Sequence, residues 1–249
     1  PDALKGARPV RRRGSTSPCV WEVGTLSYKT TCCVNLAAVL GELGHRVLVV
    51  DMDPQGNCTS GLGIDRGETE RSVYQLLMES AAPSEVVVAT DWTNVELIPA
   101  NIDLAGSEVE LAGVMSRETR LRRRLRDCSG YDVVLVDCPP SLGLLTINAL
   151  VASDHMMVPI QCEYYALEGV GQLMRTVQLI RGYLNEALSV DGIVLTMFDG
   201  RTNLAREVAD EVRRQFGETV FETIIPRNVR LSEAPSYGSP ISYYAAESV

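Results

Sequence analysis

The sequence of 249 residues lacks any long hydrophobic run. A membrane-spanning helix needs roughly 18 or more consecutive apolar residues, and the content of 45% hydrophobic and 22% charged residues is ordinary for a globular protein. The first residues, PDALKGARPVRRRGSTSP, are basic, but the apolar segment of a secretory signal does not follow them. These features predict a cytoplasmic protein with no membrane partner.

The sequence also lacks a C-x-x-C pair, although it contains seven cysteines. Most of them fall in apolar segments, which indicates buried thiols in a reducing compartment, not a disulfide framework or a metal site. The net charge of −9 argues against a surface adapted throughout to nucleic acid, because phosphate contacts need local positive charge. Any DNA binding must therefore come from local basic patches.

Apolar runs alternate with polar segments of helical period along most of the chain. A helix is predicted to begin near Lys29 and to close at Gly44. The runs predicted to be strands are RVLVVDMD, NVELIPA, YDVVLVDCPP, HMMVPIQC, DGIVLTMFD and ETIIPR. This alternation predicts an α/β fold with a doubly wound, mostly parallel sheet flanked by helices. We expect one domain over residues 19–249 after a disordered basic arm over residues 1–18.

Acidic residues lie at the ends of three predicted strands. Asp51 and Asp53 end the first run, Asp137 ends the third, and a turn from Thr196 to Asp199 ends the fifth. Because the working residues of parallel sheets lie beyond the carboxyl ends of the strands, we expect these segments to converge on one crevice. A single aspartate at a strand end is as typical of a turn as of a functional site. Two strands that end in this way favour a phosphoryl-transfer site in which Asp137 holds Mg²⁺.

Lys29, Thr30 and Thr31 open the helix that precedes the Asp51 strand. A helix N-terminus binds phosphate through its free N–H groups. A lysine at this place reaches the β- and γ-phosphates of a nucleotide, and the hydroxyl that follows ligates Mg²⁺. The spacing therefore predicts a nucleotide site at the start of this helix.

Four segments, in this order, resemble the signature blocks of the ParA/Soj partition ATPases, which are deviant Walker-type P-loop NTPases of the MinD/ParA superfamily. They are KTTCCVNLAAVLGELGHRVLVVDMDPQGNCTSGLG, YDVVLVDCPPSLGLLTINAL, LTMFDGRTNLAREVADEVRRQFG and IPRNVRLSEAPSYGSPI. The resemblance implies an ATP-dependent homodimer that binds DNA nonspecifically at the nucleoid. It also implies hydrolysis of ATP stimulated by a ParB-like centromere-binding protein, so that chromosome or plasmid DNA is segregated.

The resemblance also assigns roles to residues of the crevice. Lys29 would bind phosphates and take part in catalysis, with Thr31 beside it in the nucleotide site. Thr30 would ligate Mg²⁺, and Asp137 would hold the metal through water. Asp53 would position the attacking water. The cofactors implied are therefore ATP and Mg²⁺.

Basic residues in two other segments are candidates for binding. The resemblance places Pro226 and Arg227 at the nucleotide, and Arg227 and Arg230 at DNA. A second basic stretch lies on a predicted helix, where Glu118 and Asp127 would partly neutralise it; a solvated helix face is favoured over DNA contact there. Its members are Arg117, Arg120, Arg122, Arg123, Arg124 and Arg126.

The phosphate-binding loop departs from the family pattern. Relatives have K-G-G-x-G-K-T-T, whereas Gly24, Thr25, Leu26 and Tyr28 replace the first lysine and the three glycines here. Glycine permits positive φ and close approach to phosphate, which costs another residue about 1–3 kcal/mol where the backbone is strained. The chain is therefore either a partition ATPase or a nucleotide-independent pseudo-ATPase that binds DNA and partners.

The two ends of the chain also depart from the family. The segment SPCVWEVG is a poor apolar run for the first strand, and the last helix of the relatives is missing after Val249. We therefore expect both termini to be incomplete. Because the altered loop adjoins one end, a faulty reading frame upstream of Lys29 is favoured over a true pseudo-ATPase as its cause.

Overall fold

The computed structural model describes residues 18–21, 28–67, 69–79, 81–163 and 166–248. Residues 1–17 of the expected basic arm and residues 22–27 of the altered loop lie outside this part of the chain. The arm and the boundary of the domain therefore stay predictions.

The strands belong to a single sheet. They are β1 (Pro18–Trp21), β2 (Val47–Asp51), β3 (Val88–Ala89), β4 (Val95–Ile98), β5 (Val133–Asp137), β6 (His155–Gln161), β7 (Ser189–Phe198) and β8 (Val220–Pro226). Their order across the sheet is β3-β4-β2-β5-β1-β6-β7-β8. Neighbouring strands are parallel throughout, except that β3 pairs antiparallel with β4.

Helices cover both faces of this sheet. They are α1 (Tyr28–Glu42), α2 (Asn57–Gly61), α3 (Val73–Met78), α4 (Pro83–Val86), α5 (Leu104–Ala112), α6 (Arg120–Leu125), α7 (Leu144–Ala152), α8 (Ala166–Tyr183), α9 (Asn203–Phe216), α10 (Val229–Glu233) and α11 (Ile241–Tyr244). Alternate residues of β2 enter different cores: Val47 and Val49 pack with α1 and α2, whereas Leu48 and Val50 pack with α3, α6 and α7. The predicted doubly wound α/β fold is confirmed.

The six predicted strands are present as β2, β4, β5, β6, β7 and β8. The poor apolar run before the loop nevertheless contains β1, which lies between β5 and β6. A strand with parallel neighbours on both sides satisfies its backbone N–H and C=O groups whatever its own apolar pattern. The short β3 was not predicted, because two residues carry no readable period.

The connection from α1 to β2 shows why one glycine was correctly predicted to end the helix. Gly44 has φ +89°, and the amide of His45 donates to the carbonyl of Leu40 at 3.1 Å. This left-handed cap lets the chain reverse and enter β2 within three residues of Gly44. As a result, the start of α1 and the end of β2 lie at the same edge of the sheet.

Two further findings concern the described residues alone. None of their helices is long and apolar enough to cross a membrane. The six cysteines among them with described side chains are buried and free of disulfides, as the sequence predicted.

Candidate functional site

Two aspartates face each other where β2 and β5 end. Asp51 and Asp137 are register partners of the parallel pair, and both are fully buried. Asp51 accepts hydrogen bonds from the amide and hydroxyl of Thr59, at 2.8 and 2.7 Å, and from the amide of Asp53 at 3.0 Å. The carboxylate of Asp51 therefore ties the end of β2 to the following turn and to α2.

Asp53 lies on that turn and is 4% exposed. Its Oδ1 accepts from the amide of Gln55 at 3.0 Å, and its carbonyl accepts from the amide of Gly56 at 2.8 Å. Gly56 has φ +60°, and a Cβ there would lie 2.4 Å from the Cδ of Arg66. Among the described residues, no hydrogen bond to Oδ2 of Asp53 accompanies the one that Oδ1 accepts.

The start of α1 contacts the end of β5. The hydroxyl of Thr30 donates to Oδ2 of Asp137 at 2.7 Å, and the ammonium of Lys29 donates to the carbonyl of Cys138. Lys29 is 1% exposed. The other carboxylate oxygen of Asp137, Oδ1, is buried and has no hydrogen-bond partner among the described residues. A buried acceptor without a partner is costly, so this oxygen is suited to a ligand.

The site carries an excess of buried negative charge. Burial raises the pKa of Asp51 to about 6, while the hydrogen bonds from Thr59 act in the opposite direction. Burial and the charge of Asp51 raise the pKa of Asp137 to about 7, against the lowering effects of Lys29 and Thr30. A bound cation would reverse this penalty, and carboxylate and hydroxyl oxygens are the ligands that Mg²⁺ prefers. The residues present therefore fit a magnesium ion.

Tyr28 lies between this site and the C-terminal segment. It is 4% exposed, and its hydroxyl is 3.4 Å from the hydroxyl of Ser232 on α10. Thr31, on the next turn of α1, is 7% exposed. The predicted changes at Gly24, Thr25 and Leu26 lie outside the described residues, so Tyr28 is the one altered loop position whose surroundings are described.

The structure does not bring the Thr196–Asp199 segment against the two buried aspartates. β7 lies three strands from β5, which corresponds to about 14 Å. Thr196 belongs to β7 itself and not to a turn, and its hydroxyl donates to the carbonyl of Ile160 at 3.2 Å. Asp199 follows the strand and pairs with Arg201 at 2.7 Å. The third predicted part of the crevice thus lies at the carboxyl ends of the strands, as do the other two, but three strands away from β5.

The residues predicted to bind nucleotide (Pro226 and Arg227) and DNA (Arg227 and Arg230) lie at the end of β8 and on α10, which follows it. Pro226 ends β8, four strands from β5 or about 19 Å away. Arg227 is exposed, and its amide donates to the carbonyl of Phe198 at 3.0 Å. Arg230 on α10 is exposed but pairs with Glu233 at 3.1 Å. The contact between Tyr28 and Ser232 links α10 to the start of α1.

Sequence reasoning missed two residues that hold the elements following β2 and β5. Thr59 holds Asp51, and its hydroxyl also accepts from the amide of Ala100 at 3.0 Å. Glu108 on α5 accepts from the amide of Leu145, at the start of α7, at 3.3 Å. The position of Thr59, six residues after Asp53 and just past the glycine turn, was a signal for the first of these. Nothing in the sequence pattern indicates the second.

Comparison with known proteins adds sequence evidence to this geometry. Residues 25–190 match a family described as an AAA domain. The sporulation initiation inhibitor protein Soj of Bacillus subtilis is 54% identical over 217 residues, which cover 87% of this chain and 86% of Soj. The chromosome partitioning protein ParA of Myxococcus xanthus is 50% identical over 221 residues, covering 88% of this chain and 78% of ParA. The chain belongs to the ParA/Soj family.

Two solved structures share the fold of this chain. Cobyrinic acid a,c-diamide synthase from Mycobacterium smegmatis, solved with ADP and magnesium, has a TM-score of 0.81 and 36% identity, covering 94% of this chain and 98% of its own. McdA from Cyanothece, solved with ATP, has a TM-score of 0.84 at 20% identity, covering 92% of this chain and 90% of the McdA chain. The second likeness concerns the fold alone. Both support the three-layer arrangement of this ParA/Soj chain.

Proposed function

We propose that the chain is a partition protein that binds ATP and Mg²⁺, dimerises with a second copy, and binds DNA without sequence preference. In this proposal a ParB-like partner stimulates ATP hydrolysis, and the protein works in the cytoplasm at the nucleoid. The observation that carries the nucleotide part is the buried, unpartnered Oδ1 of Asp137 beside the hydroxyl of Thr30 and the ammonium of Lys29. The Soj and ParA relatives support the partition role.

Each side chain of the crevice has a chemical role in this proposal. Lys29 exchanges its hydrogen bond with the carbonyl of Cys138 for phosphate oxygens. Thr30 ligates the metal ion, and Asp137 holds it through water. Mg²⁺, when bound, neutralises charge on the phosphate oxygens. Asp53 orients a water molecule through its Oδ2, while its Oδ1 stays bound to the amide of Gln55.

One observation favours the second candidate function, a nucleotide-independent pseudo-ATPase. Tyr28 occupies the position of a family glycine, immediately before Lys29, and its buried side chain reaches Ser232. A side chain at this position restricts the backbone that should approach the phosphates. In this alternative the chain keeps its surfaces for DNA and partners but does not cycle nucleotide.

Calorimetric titration with ATP, with and without Mg²⁺, tests the proposal. We expect weak binding whose affinity Mg²⁺ increases. We expect Asp137→Asn to reduce that increase at least about tenfold, because a charged outer ligand is lost. Asp132→Asn is the matched control, since Asp132 is exposed beside the opposite end of the same strand. Absence of ATP binding in a chain that still binds DNA would establish the pseudo-ATPase instead.

A further inference from the structure

The structure divides the arginines of residues 117–126 into two groups. Arg117 pairs with Glu118 at 3.0 Å and also donates to the carbonyl of Ala112. Arg122 donates to the carbonyl of Leu184 at 3.5 Å. These two arginines therefore make contacts within the fold. In the part of the chain that the structure describes, the other four arginines of the stretch form no ion pair.

Three of these four surround a concave site. Arg120, Arg123 and Arg124, with Met115, line a cavity of about 200 Å³. We call this set the arginine cradle. Residues spaced by three and four share one face of a helix, and like charges at these spacings repel each other. Arg120 and Arg124 are half-buried as well, so the positive charges are partly desolvated without a counter-ion.

The expected partial neutralisation of this stretch is found at Arg117 and does not extend to the cradle. Glu118 is committed to Arg117, and within the described residues Asp127 forms no ion pair with any arginine. By contrast, two arginines that follow β7 and β8 are paired: Arg201 with Asp199 at 2.7 Å and Arg230 with Glu233 at 3.1 Å. The cradle arginines therefore differ from Arg201 and Arg230 in having no carboxylate partner among the described residues.

Buried side chains and hydrogen bonds attach the helix beneath the cradle to the rest of the fold. Leu121 and Leu125 anchor α6 in the core. The amide group of Asn148 accepts from the backbone of Leu121 at 3.2 Å and donates to the carbonyl of Arg117 at 2.9 Å. Met115, at the rim, is 91% exposed and precedes Ser116, which has φ 55°. A non-glycine residue held in the left-handed region is a strain that often accompanies a functional site.

We propose that the arginine cradle binds phosphate groups of the DNA backbone, as a second DNA contact besides Arg227 and Arg230. This inference rests on the proposed function. Guanidinium groups bind phosphate through paired N–H donors. Small-molecule pockets span about 300–1,000 Å³, so the smaller cradle suits one or two phosphate groups and not a whole nucleotide. Arg126, exposed at the end of the same helix, extends the basic surface outward along a backbone.

The test is the salt dependence of binding to a random-sequence duplex, measured by fluorescence anisotropy on the whole chain with ATP and Mg²⁺ present. Each phosphate contact contributes about 0.9 to the slope of log affinity against log salt. For R120Q/R123Q/R124Q we therefore expect the slope to fall by about 2–3 and the affinity at moderate salt to fall at least about tenfold. Glutamine keeps the helix propensity of arginine, and the buried leucines are untouched.

Two matched variants control for general effects. R120K/R123K/R124K keeps the charge and is expected to keep most of the slope. R175Q/R181Q removes two exposed charges from α8 and is expected to leave the slope within error. Inorganic pyrophosphate, titrated into the same proteins and followed by phosphorus NMR, shows whether a free phosphate anion occupies the cradle instead.

The outcomes separate this inference from the proposed function. A reduced slope in the glutamine variant, retained in the lysine variant, supports a DNA-backbone contact. An unchanged slope overturns it while the proposed function stands, and pyrophosphate binding that is lost in the same variant would then identify a free anion as the ligand. If the unaltered chain binds no duplex at all, the DNA part of the proposed function fails and this inference fails with it.

Discussion

The two sides of the crevice are built differently. On one side, the ends of β2 and β5 supply Asp51 and Asp137, which sheet register places opposite each other. On the other side, the start of α1 supplies Lys29 and Thr30, but Tyr28 precedes them where the family has glycine. The first side depends on long-range strand pairing, and the second depends on the local freedom of a loop.

This difference shows how the carboxylate side of a site keeps its arrangement while the loop side departs from the family sequence. The carboxylate side is fixed by hydrogen bonds from Thr59 and from the backbone of the β2 turn, and none of these involves the loop. The contact between Thr30 and Asp137 also forms with the altered loop sequence in place. Under the proposed function, nucleotide binding therefore depends on the few residues before Lys29.

The largest expected effect comes from restoring the family loop. Gly24→Lys, Thr25→Gly, Leu26→Gly and Tyr28→Gly together return the backbone freedom and the N–H groups that approach phosphate. With about 1–3 kcal/mol at stake for each glycine, we expect ATP affinity to rise at least about 100-fold. Calorimetric titration of both versions in the presence of Mg²⁺ measures this rise.

Gly24→Lys alone is the matched control, because it adds the charge without the backbone freedom, and it should recover little affinity. Tight ATP binding by the unaltered chain would mean that other backbone N–H groups bind the phosphates and that the altered loop does not prevent binding. No binding by the restored chain would favour a protein that has lost nucleotide chemistry altogether.

The second effect concerns Asp53 on the carboxylate side. In the restored chain, Asp53→Ala is expected to lower turnover about 100-fold while ATP affinity stays within about threefold, because a positioned carboxylate acts on the attacking water and not on the nucleotide. Asp65→Ala is the control, since Asp65 accepts a similar bond from the amide of Gly67 at 2.8 Å on an exposed turn. Steady-state hydrolysis and titration separate the two quantities. Equal losses in both would show that the roles of Asp51 and Asp53 have been confused.

Most of the fold was predictable because its strands are continuous apolar runs. Residues of β2 and β5 are buried on both faces, which gives an unbroken pattern that the sequence displays directly. β1 was not predictable in this way, because its place depends on hydrogen bonds to β5 and β6, each more than 100 residues away in sequence. A short stretch of sequence gives no sign of pairing between strands that are so far apart in the chain.

The site was predictable in part for the same reason. Asp51 and Asp137 follow recognisable strands, so their meeting at one sheet edge follows from topology. The division of the α6 arginines does not follow, because Arg122 finds its acceptor on Leu184, 62 residues along the chain. A helical pattern shows which residues share a face, but it does not show which of them have partners.

A third and smaller effect is the pH dependence of stability in the metal-free protein. The pKa values of Asp51 and Asp137 are raised from 3.8 to about 6 and about 7, chiefly by burial. The folded state therefore binds more protons than the unfolded state. The stabilisation of the folded state by protonation of these groups is complete below about pH 4 and is lost as pH rises towards 7.

Asp137→Asn removes one of these titrating groups. We expect it to raise the free energy of unfolding at pH 8 by about 2 kcal/mol and to flatten the decline between pH 4 and 7. Urea unfolding with a chelator present, at several pH values, measures both. Asp132→Asn is the control: hydrogen bonding from Arg46 lowers the pKa of Asp132, so its contribution is lost only as pH falls. A variant that declines between pH 4 and 7 as steeply as the unaltered protein would contradict the assignment.

The smallest expected effect tests what Tyr28 contributes on the α1 side. Tyr28→Phe removes the hydroxyl that lies 3.4 Å from Ser232 but keeps the buried ring. A long, partly exposed hydrogen bond is worth little, so we expect the free energy of unfolding to fall by less than about 1 kcal/mol. ATP affinity should not change, because the ring and its Cβ, not the hydroxyl, restrict the backbone before Lys29. Ser232→Ala completes a double-mutant cycle, and its coupling energy with Tyr28→Phe should be equally small. A tenfold gain in ATP affinity from Tyr28→Phe alone would instead show that the hydroxyl contact to α10 holds the start of α1 away from nucleotide.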